Sequence, residues 1–93
     1  MFFEEWPDAQ LPQDLPKYPD GKIEADAEPG DVVVRISDTS EAVFLEYMSA
    51  LKTAGWNFVD PAQQYNGQAY QEQCLLQYGY NNGDVTLQFM TEQ

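Results

Sequence analysis

Cys74-Leu75-Leu76-Gln77-Tyr78-Gly79-Tyr80-Asn81-Asn82-Gly83-Asp84-Val85-Thr86-Leu87-Gln88-Phe89-Met90-Thr91 reads as a single β-hairpin. Asn82-Gly83 is the dipeptide that a type I′ turn demands, because both central residues of that turn take positive φ. Pairing about it sets Tyr80 opposite Val85, Tyr78 opposite Leu87, Leu76 opposite Phe89 and Cys74 opposite Thr91. These partners are apolar or small throughout. The alternate residues Leu75, Gln77, Gly79, Thr86, Gln88 and Met90 form a second, mainly polar face. That division predicts an antiparallel sheet with one face on a core and one in water.

Working outward, the chain repeats the same logic upstream. Ile23, Ala25 and Ala27 alternate with Lys22, Glu24, Asp26 and Glu28, and Val32, Val34 and Ile36 alternate with Val33 and Arg35. Pro29-Gly30 supplies the turn between them, with Pro presetting its first central position. Pairing about it places Ala27 opposite Val32, Ala25 opposite Val34 and Ile23 opposite Ile36, so both apolar rows share a face. Ser37-Asp38-Thr39-Ser40-Glu41 is dense in N-cap residues, and Asp38 with Glu41 fits capping-box spacing. A helix follows, with Val43, Phe44, Tyr47, Met48, Leu51 and Ala54 as its apolar stripe and Gly55 as its C′ residue. Trp56, Phe58 and Val59 read as a third strand ended by Asp60-Pro61. Between Gln63 and Gln71 the pattern weakens, and a turn at Tyr65-Asn66-Gly67 and a short helix before Cys74 both stay open.

At the other end, Trp6-Pro7, Leu11-Pro12, Leu15-Pro16 and Tyr18-Pro19 each put proline after an apolar residue. Such residues favour extended or polyproline II backbone, which predicts an arm laid over the core rather than a helix or a central strand. Pro16-Lys17-Tyr18-Pro19 has the PxxP spacing of groove-binding ligands, a four-residue match that arises readily by chance. The expected architecture is α+β: a two-layer sandwich of one helix on a four- or five-stranded antiparallel sheet in the order β-β-α-β-β-β. Residues 1–20 form the arm and residues 21–93 a single domain.

At 93 residues, with 43% hydrophobic and 14% aromatic content, the chain suits one core. Sixteen acids against four bases give a net charge of −12, which argues against direct binding to nucleic acid or an anionic membrane. The absence of histidine and the presence of one cysteine, Cys74, exclude a histidine triad, histidine zinc ligands and an internal disulfide. No run approaches a membrane span, and Met1-Phe2-Phe3-Glu4-Glu5 is acidic where a signal peptide is basic.

Several motifs together resemble a known family. Thr39-Ser40, Phe44, Tyr47, Leu51-Lys52 and Ala54-Gly55-Trp56, preceded by Trp6-Pro7, the Leu-Pro arm and Gly21-Lys22-Ile23, are similar to a family of small domains of unknown function. Its members occur in predicted lipoproteins and secreted proteins of Gram-positive bacteria and read T-S-x-x-x-F-x-x-Y at the helix start. The likeness covers nearly the whole chain. It implies an extracytoplasmic module without catalytic residues; the chain departs from the pattern in carrying no leader and no lipidated cysteine at its start.

Each candidate site is weighed against a plainer role. The carboxylates fall mostly on expected solvent faces, so a catalytic acid and base pair is not expected, and no EF-hand spacing is present. Asn81, Asn82 and Asp84 are accounted for by the turn. Cys74 has no base partner and lies on an apolar row, where an inert thiol is expected. Glu24, Asp26 and Glu28 form an acidic ladder. Their spacing of about 6.6 Å is sparse beside duplex DNA's charge every ~1.7 Å, although Glu4, Glu5, Asp8, Asp14 and Asp31 could thicken it. Of the aromatics, Trp56, Phe58, Tyr78 and Tyr80 belong to the core, whereas Tyr65 and Tyr70 stand outside the strong alternation and suit a sugar or peptide surface. The functional expectation is a non-enzymatic interaction module without cofactor or metal, monomeric or weakly dimeric, that binds a protein or a cell-envelope component. Glu24, Asp26, Glu28, Tyr65 and Tyr70 are its candidate contacts. The alternative is a cytoplasmic acidic inhibitor that mimics nucleic acid.

Overall fold

A computed structural model describes residues 2–7, 11, 15–59, 65–72 and 74–91. The elements are β1 (Phe2–Phe3), β2 (Lys22–Glu28), β3 (Asp31–Ser37), α1 (Glu41–Thr53), β4 (Asn57–Phe58), β5 (Asn66–Gln71), β6 (Cys74–Asn81) and β7 (Asp84–Thr91). All strands join one antiparallel sheet in the order β1-β2-β3-β7-β6-β5-β4.

Both expected hairpins form in the expected register. Ile23, Ala25 and Ala27 face Ile36, Val34 and Val32. Cys74, Leu76, Tyr78 and Tyr80 face Thr91, Phe89, Leu87 and Val85. At the second turn Asn82 and Gly83 have φ of 50° and 88°, the paired positive values of type I′. The two hairpins are stitched together by β3 and β7, with Val34 opposite Leu87 and Ile36 opposite Val85. The apolar rows of four strands thereby merge into one continuous face.

The expected two-layer sandwich of one helix on four or five strands needs correction on two points. The sheet has seven strands, the extra two being the edge pair Phe2–Phe3 and the strand Asn66–Gln71. Asn66-Gly67 does not turn the chain, and among the described residues between Tyr65 and Cys74 there is no short helix. Instead Ala69 pairs with Leu76 and Tyr70 with Leu75, because the finished edge of β6 offers main-chain partners that outweigh the weak strand propensity of an Asn-Gly-Gln stretch. The cover is also shared. Trp6, Leu11, Leu15 and Tyr18 of the arm join the same buried cluster as Phe44, Tyr47, Met48 and Leu51 of the helix. Asp60-Pro61 and Gln63, together with Asp8 and Asp14, lie outside the described residues.

The helix start also differs from the capping box expected at Asp38. Ser40 is the N-cap, its hydroxyl accepting from the Val43 N–H at 3.2 Å. Asp38 has a φ of 57°, incompatible with the extended backbone of an N-cap, and this kink turns Thr39 inward. At the other end Gly55, with φ of 98°, donates to the Lys52 carbonyl, and Trp56 donates to that of Leu51. Those two bonds make the Schellman closure.

Arm and helix meet through aromatic rings. Tyr18 and Tyr47 pack at 4.9 Å between centroids, and the Tyr47 hydroxyl donates to the Pro16 carbonyl at 2.7 Å. Tyr18 Oη and Thr39 Oγ1 share a buried hydrogen bond of 2.8 Å, and the Thr39 N–H reaches the Gly83 carbonyl at the tip of the second hairpin.

Replacing Thr39 by Val leaves the Tyr18 hydroxyl buried without that partner, and the expected cost is about 1–3 kcal/mol in denaturant unfolding. A loss below about 0.5 kcal/mol would mean that the bond contributes only what an exposed one does. Burial holds the Tyr47 and Tyr18 phenols above their ordinary value. The unfolded chain therefore gives up these protons first, so stability is full below about pH 10 and falls as pH rises toward the elevated folded-state values. Denaturant midpoints taken across this range test it, and Tyr47→Phe is expected to flatten the alkaline decline.

Candidate functional site

One face of the sheet carries the helix and arm, and among the described residues nothing covers the opposite face. The molecule measures 32 × 30 × 18 Å, a slab whose thin dimension fits a sheet with a single covering layer. Strand register aligns the open-face side chains into three transverse rows. The first runs Glu24, Arg35, Thr86, Gly79, Asn66. The second runs Phe2, Asp26, Val33, Gln88, Gln77, Gln68. The third runs Glu28, Asp31, Met90, Leu75, Tyr70, Asn57.

The rows are chemically graded. Glu24, Asp26 and Glu28 are all exposed on β2 and form the acidic ladder expected from their alternation. Asp31 extends it onto β3, where its carboxylate accepts from Gln88 Nε2 at 3.2 Å. Toward β5, β6 and β7 the rows become uncharged, with the amides of Gln68, Gln77, Gln88 and Asn66 beside Thr86 and Gly79. Tyr70, 48% exposed, stands near the end of the third row, beside Asn57. Glu28 and Tyr70 thus share a row yet stand four strand spacings apart, about 19 Å.

Tyr65 occupies a different place, at the end of the sheet just before β5. Its ring tilts against Tyr80 at 6.0 Å, and the far side of Tyr80 stacks on Phe44 at 5.3 Å. Its hydroxyl donates to the Glu41 carboxylate at the helix start, a bond that holds the phenol above its ordinary value. The Tyr80 N–H donates to the Tyr65 carbonyl at 2.7 Å. The ring is therefore pinned on several sides while 38% of the residue stays exposed.

Two shallow depressions adjoin along the first row. One of about 350 Å³ is lined by Glu24, Arg35, Ser37, Asp84 and Thr86, among others. The other, of about 330 Å³, is bordered by Tyr65, Asn66, Gly79, Asn81, Asp84 and Thr86. They share Asp84 and Thr86 and so make one trough across the strand ends. A Cβ built at Gly79 would meet nothing nearer than the Tyr65 carbonyl at 3.9 Å, so the missing side chain at this position deepens the trough.

Of the sequence-predicted contacts, the structure brings Glu24, Asp26, Glu28 and Tyr70 onto one face and places the Tyr65 ring on the other, helix-bearing side, against Tyr80 and Glu41. Trp56 and Tyr78 are buried, and Phe58 and Tyr80 half-buried, in line with core duty. The amide rows were not read as a site. The polar alternation of the last hairpin contained the signal, but it became a surface only once β5 and β3 were placed beside it. Among the described residues no group of three or more acids and cysteines is arranged as metal ligands would be. In comparisons with protein-family models, with curated proteins and with solved structures, nothing matches this chain.

Cys74 is buried on the core row, and burial raises its thiol pKa. Alkylation of the native protein by iodoacetamide at mildly alkaline pH is therefore expected to run on the order of a hundredfold slower than in urea. Equal rates would identify an exposed, reactive thiol.

Proposed function

We propose that this chain is a non-enzymatic binding module that presents the open face of its sheet to a cell-envelope component or a protein. The observation that carries the reading is the face itself: three ordered rows of exposed and half-buried side chains on a sheet that, among the described residues, has no covering layer on that side. A face of 32 by 30 Å compares with the roughly 800 Å² that each partner gives to an ordinary interface. The non-enzymatic part rests on residue types. The sequence has no histidine, its one thiol is buried, and its carboxylates on this face are strung along the surface of β2 and the start of β3. An extracytoplasmic setting, as a domain of a bacterial lipoprotein, rests on the family resemblance of the helix and arm motifs.

A second reading draws on the alignment of Glu24, Asp26 and Glu28. Three carboxylates in line on one exposed strand suit an acidic inhibitor that mimics nucleic acid and blocks a basic protein. With about 6.6 Å between neighbours the ladder is sparse; of the charges expected to thicken it Asp31 joins this face, while Asp8 and Asp14 lie outside the described residues.

Salt and charge separate the readings. Partners captured from bacterial lysate and envelope extract are expected to stay bound to the Glu24→Gln/Asp26→Asn/Glu28→Gln variant and to resist elution by salt. Loss of capture in that variant, with elution of a basic nucleic-acid-binding protein at moderate salt, would overturn the proposal in favour of the mimic.

A further inference from the structure

We infer that the third row of the open face, from Asp31 across Met90 and Leu75 to Tyr70, docks a protein surface that sets apolar side chains beside a lysine or arginine. The inference rests on the reading of the open face as the binding surface and names the chemistry of its partner.

Apolar side chains gather at one end of the face. The first row, Glu24, Arg35, Thr86, Gly79 and Asn66, carries no large apolar side chain. The third row sets Met90, Leu75 and Tyr70 side by side on β7, β6 and β5, across about 10 Å. Val33 of the second row lies diagonal to Met90. Val33, Met90 and Leu75 are half-buried and Tyr70 is exposed. Tyrosine and methionine are enriched where proteins meet, and tyrosine is frequent among the residues that carry the binding energy.

Acidic charge gathers at the same end. Glu28 and Asp31 begin the third row, no cation shares it, and the Asp31 carboxylate is held on the face by Gln88. Of the four cations of the chain, Lys17 belongs to the arm and Lys52 to α1. The other two lie at the far end of the strands. Arg35 stands four residues along β3 from Asp31, about 13 Å, and Lys22 six residues along β2 from Glu28, about 20 Å. Both separations exceed the screening length of ~8 Å at physiological ionic strength.

Adjacency joins the two features into one site. Asp31 and Met90 face each other across one strand spacing, about 5 Å. A partner lysine or arginine can lay its aliphatic stem on Met90 while its head reaches Asp31 and Glu28. Apolar neighbours of that residue then rest on Leu75 and Tyr70. The apolar contacts hold the complex, and the acids at the rim orient it and speed its formation.

Other occupants fit less well. Nucleic acid or an anionic membrane would meet Glu28 and Asp31 as like charge, and a second copy of the chain, at net charge −12, would bring repulsion. A small ligand would seek a concavity, and the two depressions lie over the first row.

The test is selection of a display library of random 12-residue peptides on the full chain, followed by NMR titration with the enriched peptides. Enriched sequences are expected to place leucine, isoleucine, methionine or an aromatic residue within a few positions of lysine or arginine. Their binding should give saturable shifts at the backbone amides of Asp31, Tyr70, Leu75 and Met90. Tyr70→Ala, at an exposed position, is expected to weaken binding about tenfold. Leu75→Gln should act in the same direction, whereas Glu46→Gln on the solvent side of the helix should change nothing. Asp31→Asn, like added salt, should slow association severalfold and leave dissociation nearly unchanged. Thermal unfolding confirms that each variant is folded. Three results overturn the inference: enriched peptides without cations, shifts confined to other parts of the open face, or affinity that folded Tyr70→Ala and Leu75→Gln both leave unchanged. Each of these leaves the binding-module reading standing. Failure of any peptide to enrich overturns the inference as well, and if envelope extract and lysate also yield no partner, both readings fall.

Discussion

The buried hydrogen bond between Tyr18 and Thr39 holds together parts of the chain that would otherwise have no reason to meet. Thr39 sits between β3 and α1, Tyr18 at the end of the arm, and the Thr39 N–H is bound to Gly83 in the turn between β6 and β7. Thr39 is the sole buried polar residue among the described ones. A polar group is tolerated in such a place only when both its donor and its acceptor find partners, and this requirement selects one arrangement of arm, helix and hairpin over near alternatives. Asp38 makes it possible by adopting positive φ, which shifts the helix cap to Ser40 and points Thr39 into the core. The unusual backbone at Asp38 is thus the local cost of a tertiary link.

Area explains why the arm is needed at all. A 13-residue helix is about 20 Å long and ~10 Å wide, and cannot cover a sheet whose seven strands span nearly 30 Å. The remaining core face is sheltered by Trp6, Leu11, Leu15 and Tyr18, each of which precedes a proline in the sequence. Trp6 meets Tyr47 edge-on at 6.4 Å, and Tyr18 meets the same ring. With one helix and one arm spent on one face, no element is left among the described residues for the other. Much of that face is suited to water, with glutamine, carboxylate and threonine side chains in its rows.

Legibility followed sequence distance. The hairpins at Pro29-Gly30 and Asn82-Gly83 were readable to the residue because each register is set by its own turn and by a period of two. The helix was readable from its stripe, and only its cap was displaced, since the choice between Asp38 and Ser40 was made by the distant Tyr18. Strand β5 was hidden: of Asn66-Gly67-Gln68-Ala69-Tyr70-Gln71 only Ala69 is fully buried, and Asn-Gly ordinarily signals a turn. Phe2–Phe3 is too short to announce itself. For the candidate site, exposure of Tyr65 and Tyr70 was readable because they lie outside the alternation, and the acidic ladder because it lies within it. The transverse rows were not, because they depend on β3 lying beside β7 and β5 beside β6, and the first of these neighbours is remote in sequence.

The open face is divided electrostatically as well as chemically. Nine of the sixteen acids fall in residues 1–31, while residues 61–93 hold three acids and no base. In space this becomes a face whose β2 and β3 side carries Glu24, Asp26, Glu28 and Asp31 and whose β5 and β6 side carries amides, a leucine and a tyrosine. Across about 19 Å the carboxylates exert little force on a ligand at the far side, since charges are screened over ~8 Å at physiological ionic strength. The two halves can therefore act independently. The acidic half repels other anionic surfaces, including a second copy of the chain meeting it face to face, and helps keep a wide uncovered sheet from stacking on itself. The amide half stands apart from that charge, and any contact made there by hydrogen bonding and shape is of the kind that added salt leaves in place.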